Sequence, residues 1–164
     1  MSTLDRIAAS GNSQYDEAGN RVIPNRIVCA DGFSLSVIAG SGNYCTPRPA
    51  LGGFTFGSNA PSDYPGPYTE VEVGFPSARP EPWGTWEQYV DDPEAPTETV
   101  YGYVPVETVR ALIDLHGGEA ARCDDCHGTV QAVSIGLGCA CRINQDVEAS
   151  RCTCGPKAGE RDDD

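Results

Sequence analysis

Glycine and proline interrupt this chain so often that only short regular elements fit between them. The 164 residues include 19 glycines and 13 prolines, and hydrophobic residues make up 39%. Both residue types weaken the interior of helices and strands, so their abundance limits the length of each element. The composition therefore predicts a modest core with many turns and long loops.

Two apolar runs early in the chain predict a β-hairpin. They span residues 26–29 and 33–39 and are separated by Asp31-Gly32, a dipeptide typical of tight hairpin turns. In the second run every other residue is apolar, which predicts a strand with one buried face. The Gly- and Pro-rich stretch 40–67 follows as a loop, with an apolar island at 51–56 as a candidate short strand.

Two further strands are predicted later in the chain. They span residues 68–75 and 98–104. Alternation in the first puts Phe75 on the face of its valines and Glu70 and Glu72 on the opposite, solvent-facing side. Alternation in the second puts Tyr101 and Tyr103 together on one face.

One main helix is predicted after Pro105, a residue that is well tolerated at a helix start. Its apolar stripe consists of Val106, Val109, Leu112 and Ile113. A single helical turn is expected where Trp83, Trp86 and Tyr89 recur every three residues. Short strands with one good helix indicate an α+β domain, here a small antiparallel sheet with long Pro/Gly-rich loops.

These patterns divide the chain into four parts. We expect a flexible N-terminal arm at 1–25, an α+β ligand-binding domain at 26–118, a cysteine-rich module at 119–158 and an acidic disordered tail at 159–164.

The cysteines predict a metal site. Six of the eight lie between residues 123 and 154, in three closely spaced pairs. In a reducing compartment such clustering favours metal over disulfides, and zinc prefers four thiolates in a tetrahedron. The simplest structural zinc site, in a zinc-ribbon-like module, uses Cys123, Cys126, Cys152 and Cys154. Cys139 and Cys141 are alternates, and disulfide pairing or unpaired thiols are the other interpretations.

Charge and hydropathy restrict the partners. The net charge of −13 repels nucleic-acid backbones and anionic lipid, so general nucleic-acid binding and membrane binding are not expected. The N-terminal residues lack the apolar run of a signal peptide, which predicts a cytoplasmic location. With so few cations, each arginine is a candidate for a specific role.

No catalytic motif is evident, so we expect a binding protein rather than an enzyme. The two histidines, His116 and His127, fall at a helix end and in the cysteine cluster. A small-nucleotide pocket needs aromatic rings to stack on a base and arginines to bind phosphate. The candidate ligand-binding residues are Tyr44, Arg48, Phe75, Ser77, Arg79, Tyr101 and Tyr103. The other interpretation is that the tyrosines pack the sheet and the arginines are solubilising charges.

Four segments resemble a known family when taken in order. They read CADGFSLSV, YCTPR, YTEVEVGFPS and TETVYGYVPVETVRALIDLHGG. The resemblance is to the first described class of phage-encoded Thoeris anti-defence sponges and covers about residues 26–118. Those proteins bind cyclic ADP-ribose isomers made by bacterial TIR enzymes and hold the signal intact. Relatives also bind cyclic oligonucleotides, and the proteins assemble as dimers and larger homo-oligomers with ligand near subunit interfaces.

The resemblance implies a phage anti-defence protein that sequesters a cyclic nucleotide-type signal in the host cytoplasm. Positions that match by motif are Arg48, Phe75, Ser77, Tyr101 and Tyr103. The clustered cysteines lie outside the resemblance. Two alternatives stay open: a zinc-stabilised protein–protein interaction module of a phage or bacterial protein, and an enzyme that cleaves such a signal.

Overall fold

A computed structural model of the chain describes residues 1–15, 17–22, 24, 26–53 and 55–120. The predicted zinc module, its six cysteines and the acidic tail therefore lie outside the described residues, apart from Glu119 and Ala120. Within the described residues the elements, in chain order, are α1 (Thr3–Ser10), β1 (Gln14–Tyr15), β2 (Arg21–Val22), β3 (Ile27–Val28), β4 (Ser34–Ile38), β5 (Glu70–Gly74), α2 (Trp83–Trp86), β6 (Val100–Pro105) and α3 (Val106–Leu115).

An antiparallel sheet in the order β3-β4-β5-β6 forms the centre of the fold. The predicted hairpin is confirmed, since β3 pairs with β4 across the turn at Asp31-Gly32. Leu35 and Val37 on β4 and Val71 and Val73 on β5 are buried, and they meet the apolar stripe of α3 and the side chain of Trp86 in one core. The small antiparallel α+β architecture predicted from the sequence is thus present.

Residues 3–10 pack on this core, which corrects the expectation of a flexible arm for that part of 1–25. Leu4 and Ile7 on α1 are buried among the core side chains. Ser2 and Asp5 form a capping box at the start of the helix. The carboxylate of Glu119 also accepts hydrogen bonds from the backbone N–H groups of Thr3 and Leu4, at 2.7 and 2.9 Å. Residues from both ends of the domain therefore fix α1 in place.

Strand β6 departs from the predicted alternation. Val71 pairs with Val104 and Val73 pairs with Tyr101, so β6 carries one extra residue between these pairs and forms a bulge. Tyr101 is consequently buried, whereas Tyr103 is exposed. The prediction that Tyr101 and Tyr103 share one face is therefore wrong, because a period of two fails across a bulge.

Two other expectations are corrected. Phe75 does not share the buried face of the β5 valines: its φ of 48° takes the chain out of the strand, and its ring is half exposed. The apolar island 51–56 adds no strand to the sheet, and Leu51 and Phe56 are exposed. In the described part of the chain, no helix has both the length and the apolar character needed to cross a bilayer.

Candidate ligand-binding site

Three of the predicted binding residues come together on one side of the sheet. Tyr44, Arg48 and Tyr103 form what we call the Arg48 cluster. The Nη1 atom of Arg48 donates a hydrogen bond to the hydroxyl oxygen of Tyr103 at 3.1 Å. The guanidinium carbon lies 5.1 Å from the centre of the Tyr44 ring, and the two tyrosine rings are 5.8 Å apart. One cation therefore lies over the partly exposed ring of Tyr44 and is hydrogen-bonded to the hydroxyl of Tyr103.

The bulge in β6 gives Tyr103 its position. Its φ of 55° lies in the left-handed region, which is unfavourable for a residue with a side chain. The backbone N–H of Tyr103 donates to the carbonyl of Tyr44 at 3.0 Å, which ties the bulge to the loop that carries Arg48. A strained residue of this kind is common at functional sites.

Gly102 allows the loop to lie close to the bulge. A Cβ atom added to this residue would lie 3.1 Å from the Cβ of Tyr44, closer than ordinary van der Waals contact. Any larger residue at 102 would therefore press against Tyr44.

Two carboxylates on β5 accept hydrogen bonds from the loop that carries Tyr44 and Arg48. Glu72 is only 8% exposed, and its Oε2 accepts a hydrogen bond from the backbone N–H of Tyr44 at 2.9 Å. Glu70 accepts from the hydroxyl of Thr46, whose backbone also pairs with the backbone of Glu70. The prediction that this face is solvent-facing is therefore wrong at Glu72, since the loop covers it.

The charge of Arg48 is not neutralised within the described residues. No carboxylate there forms an ion pair with its guanidinium, and its side-chain hydrogen bond goes to the neutral Tyr103. On a chain with a net charge of −13, an arginine in this state is suited to an anion.

Arg79 has a different environment. Its Nη2 atom lies 2.7 Å from a carboxylate oxygen of Glu81, and its guanidinium carbon lies 5.4 Å from the centre of the Trp83 ring. This arginine lowers the pKa of Glu81, as does the hydrogen bond from the backbone of Trp83. No contact joins Arg79 to the Arg48 cluster in the described structure, so its charge is already balanced at a separate place.

The remaining predicted residues also lie apart from the cluster. Tyr101 is buried against Trp86, and its hydroxyl donates to the carbonyl of Pro96. Burial raises the pKa of Tyr101 to about 12. Its ring is therefore a core element rather than a ligand contact.

Phe75 and Ser77 lie beyond the end of β5. The Ser77 hydroxyl accepts from the backbone N–H of Ser34, and the Phe75 N–H donates to Thr99. Thr99 precedes Tyr103 by four residues, a distance of about 10–13 Å along a strand. Within one chain these residues therefore flank the sheet at a different point from the Arg48 cluster.

No group of three or more His, Cys, Asp or Glu side chains suited to a metal ion occurs in the described residues. Cys29 and Cys45 are buried free thiols. Burial, with the nearby charges of Asp31 and Glu119, raises the pKa of Cys29 to about 11. A thiol with so high a pKa is a poor source of the thiolate that zinc binds.

Sequence reasoning missed several residues that form this site. Glu72, Gly102 and Asn59 act through the backbone of the loop and carry no binding motif of their own; the side-chain oxygen of Asn59 accepts a hydrogen bond from the backbone N–H of Arg48 at 2.6 Å. Asn59 could have been noticed as a turn-forming residue in the Gly-rich stretch, and Glu72 as an acid in the middle of a valine-rich strand.

Comparison of the chain with protein-family models, curated proteins and solved structures found no match.

Proposed function

We propose that this protein binds a cyclic nucleotide-type immune signal and sequesters it without degrading it. The ligand class is a cyclic ADP-ribose isomer, with cyclic oligonucleotides as further candidates, and the role is that of a phage anti-defence protein. The observation that carries the proposal is the Arg48 cluster, in which an arginine with no carboxylate partner among the described residues lies over the Tyr44 ring and donates a hydrogen bond to the Tyr103 hydroxyl.

The cluster supplies the contacts that a nucleotide needs. A guanidinium donates paired hydrogen bonds to phosphate oxygens, and these charge-assisted bonds are stronger than neutral ones. The rings of Tyr44 and Tyr103 are tilted 57° to each other, and each offers an aromatic face for a base or ribose. Because Arg48 already lies over the Tyr44 ring and donates a hydrogen bond to Tyr103, little side-chain freedom is lost when a ligand binds.

The same geometry favours capture over turnover. Turnover would require a positioned acid or base that is free to exchange a proton with the ligand. The buried carboxylate beneath this loop, Glu72, is instead engaged by the backbone N–H of Tyr44. We therefore assign Glu72 to holding the loop rather than to chemistry.

Zinc binding and self-association are two further predictions, which are independent of the Arg48 cluster. We assign zinc a structural role at Cys123, Cys126, Cys152 and Cys154, because an ion bound by four thiolates has no open position for water. We also propose that the protein forms homo-oligomers, as the sponge proteins that its sequence resembles do.

The test of sequestration is recovery of the ligand. Purified protein is mixed with cyclic ADP-ribose isomers and with a panel of cyclic oligonucleotides, and binding is measured by calorimetry. The complex is then heated, and the released ligand is identified by mass spectrometry. We expect at least one isomer to bind and to be recovered unchanged, whereas a linear product would identify an enzyme and contradict the proposal.

A further inference from the structure

Phe56 is the most exposed large hydrophobic residue in the described structure. Its side chain is 99% exposed, whereas the neighbouring Leu51 is 46% exposed. Single exposed apolar residues are common on protein surfaces and need no partner. Phe56 is of interest because the loop that carries it is attached beside Arg48.

The loop that carries Phe56 is anchored at Arg48. The backbone N–H of Arg48 donates to Oδ1 of Asn59 at 2.6 Å, and the N–H of Asn59 donates to the carbonyl of Arg48 at 3.0 Å. The N–H of Ala50 also donates to the carbonyl of Ala60 at 3.0 Å. The two ends of the loop are thus fixed to each other beside the Arg48 cluster.

Gly57 brings the backbone of this loop close to the guanidinium of Arg48. A Cβ atom added to Gly57 would lie 3.3 Å from Nη1 of Arg48. Phe56 precedes Gly57, and consecutive Cα atoms are about 3.8 Å apart, so the Phe56 backbone lies within about 9 Å of that nitrogen. The exposed ring of Phe56 therefore starts from backbone close to an arginine that has no carboxylate partner among the described residues.

We propose that Phe56 is a ligand-contacting residue whose ring stacks on the base of a nucleotide that Arg48 binds through phosphate. The inference rests on the proposed function and adds a contact to it. A nucleotide fits because it combines an anion with a flat ring, and these two features match the two neighbouring side chains. An anionic membrane is disfavoured as the partner of Phe56 by the net charge of −13.

The test compares variants of Phe56 in binding to a cyclic ADP-ribose isomer. Phe56→Ala is expected to weaken binding about tenfold or more, the usual effect of removing one stacking ring. Phe56→Trp keeps a ring and should bind within about threefold of the wild type. Leu51→Ala, in the same loop, is the matched control and should not change the affinity. Because Phe56 is exposed, thermal unfolding should be the same for all these variants.

A spectroscopic measurement on Phe56→Trp provides a second readout. Ligand should quench the emission of the new tryptophan, with the wild type correcting for Trp83 and Trp86. Emission that is already shifted without ligand and depends on protein concentration would instead place residue 56 in an interface between copies, and would overturn the proposal.

The position of the loop can be tested with two glycines. Gly57→Ala places a methyl group against Arg48 at a φ of 72° and should weaken binding. Gly53→Ala meets nothing within 4 Å and should not. Binding by Phe56→Ala that equals the wild type contradicts the contact alone. Failure of the wild-type protein to bind any isomer or cyclic oligonucleotide contradicts the proposed function and, with it, this inference.

Discussion

At the scale of single residues, the buried carboxylate of Glu72 determines the shape of the candidate site. It accepts a hydrogen bond from Tyr44, and the same loop residue bonds to the β6 bulge through its carbonyl. The ring of Tyr44 and the guanidinium of Arg48 therefore depend on an acid that faces the interior. We regard Glu72 as a positioning residue.

Substitutions of Glu72 test whether ligand binding depends on its hydrogen bond to the loop or on its negative charge. Glu72→Ala leaves a backbone N–H without its acceptor, which should lower the free energy of unfolding by about 1–3 kcal/mol and weaken ligand binding about tenfold. Glu72→Gln keeps an acceptor oxygen and should restore most of the affinity. Urea unfolding and calorimetry measure the two effects. Equal affinity for Glu72→Ala and wild type, or no recovery with Glu72→Gln, would contradict this role.

Alternation along β5 could not predict the burial of Glu72. The pattern correctly placed Val71 and Val73 in the core, because their side chains follow the pleat of the strand. It also implied that the opposite face meets water. That implication failed because the loop at 44–48 crosses the face, and a loop's path depends on contacts distant in sequence.

At the scale of elements, helix α1 depends on residues from both ends of the described domain. Its first N–H groups lack partners within the helix, as at any helix start, and Glu119 accepts from two of them. Arg110 on α3 also forms an ion pair with Asp5 at 2.9 Å. The element is short, so these contacts and the burial of Leu4 and Ile7 supply its stability.

Removal of the Glu119 carboxylate should weaken this arrangement. Glu119→Ala is expected to lower the free energy of unfolding by about 1 kcal/mol, the usual effect of losing a helix cap. Glu98→Ala removes the same charge from an exposed position and is the matched control. Urea denaturation followed by circular dichroism gives both values, and equal stability of the two variants would contradict the capping role.

The sequence predicts elements with regular periods well and irregular ones poorly. The stripe of α3 and the hairpin turn at Asp31-Gly32 follow from residue chemistry within a few positions. The bulge at Tyr103 was missed although Gly102 inside the strand is a signal for one, because a glycine does not say which neighbouring residue takes the strained conformation. Arg48 and Tyr44 could be grouped from the sequence, whereas their contact with Tyr103 required the fold.

At the scale of the whole molecule, acid should destabilise the domain. Hydrogen bonds from Ser2 and then Arg110 lower the pKa of Asp5 below its ordinary value of 3.8, and the hydrogen bond with His116 does the same for Asp31. A lowered carboxyl pKa in the folded state means that ionisation favours folding. This contribution is complete above the unfolded-state pKa and is lost as the pH falls through the folded-state value.

Unfolding in urea at several pH values checks this expectation. The free energy of unfolding should fall as the pH is lowered from about 4 to about 2. Asp5→Asn should be less stable than wild type at neutral pH and should lose less over the acid range. An identical acid dependence in the two proteins would contradict the assignment of Asp5.

The role of Arg48 in binding is tested most directly by calorimetric titration of a cyclic ADP-ribose isomer into the Arg48→Ala and Arg79→Ala variants. Both substitutions remove one positive charge, so long-range electrostatics change equally. Loss of a charge-assisted contact at Arg48 should raise the dissociation constant about 10- to 100-fold. Arg79 is already paired with Glu81, and its loss should leave the constant within about twofold of wild type. Wild-type affinity in Arg48→Ala, or equal weakening in both variants, would contradict the account.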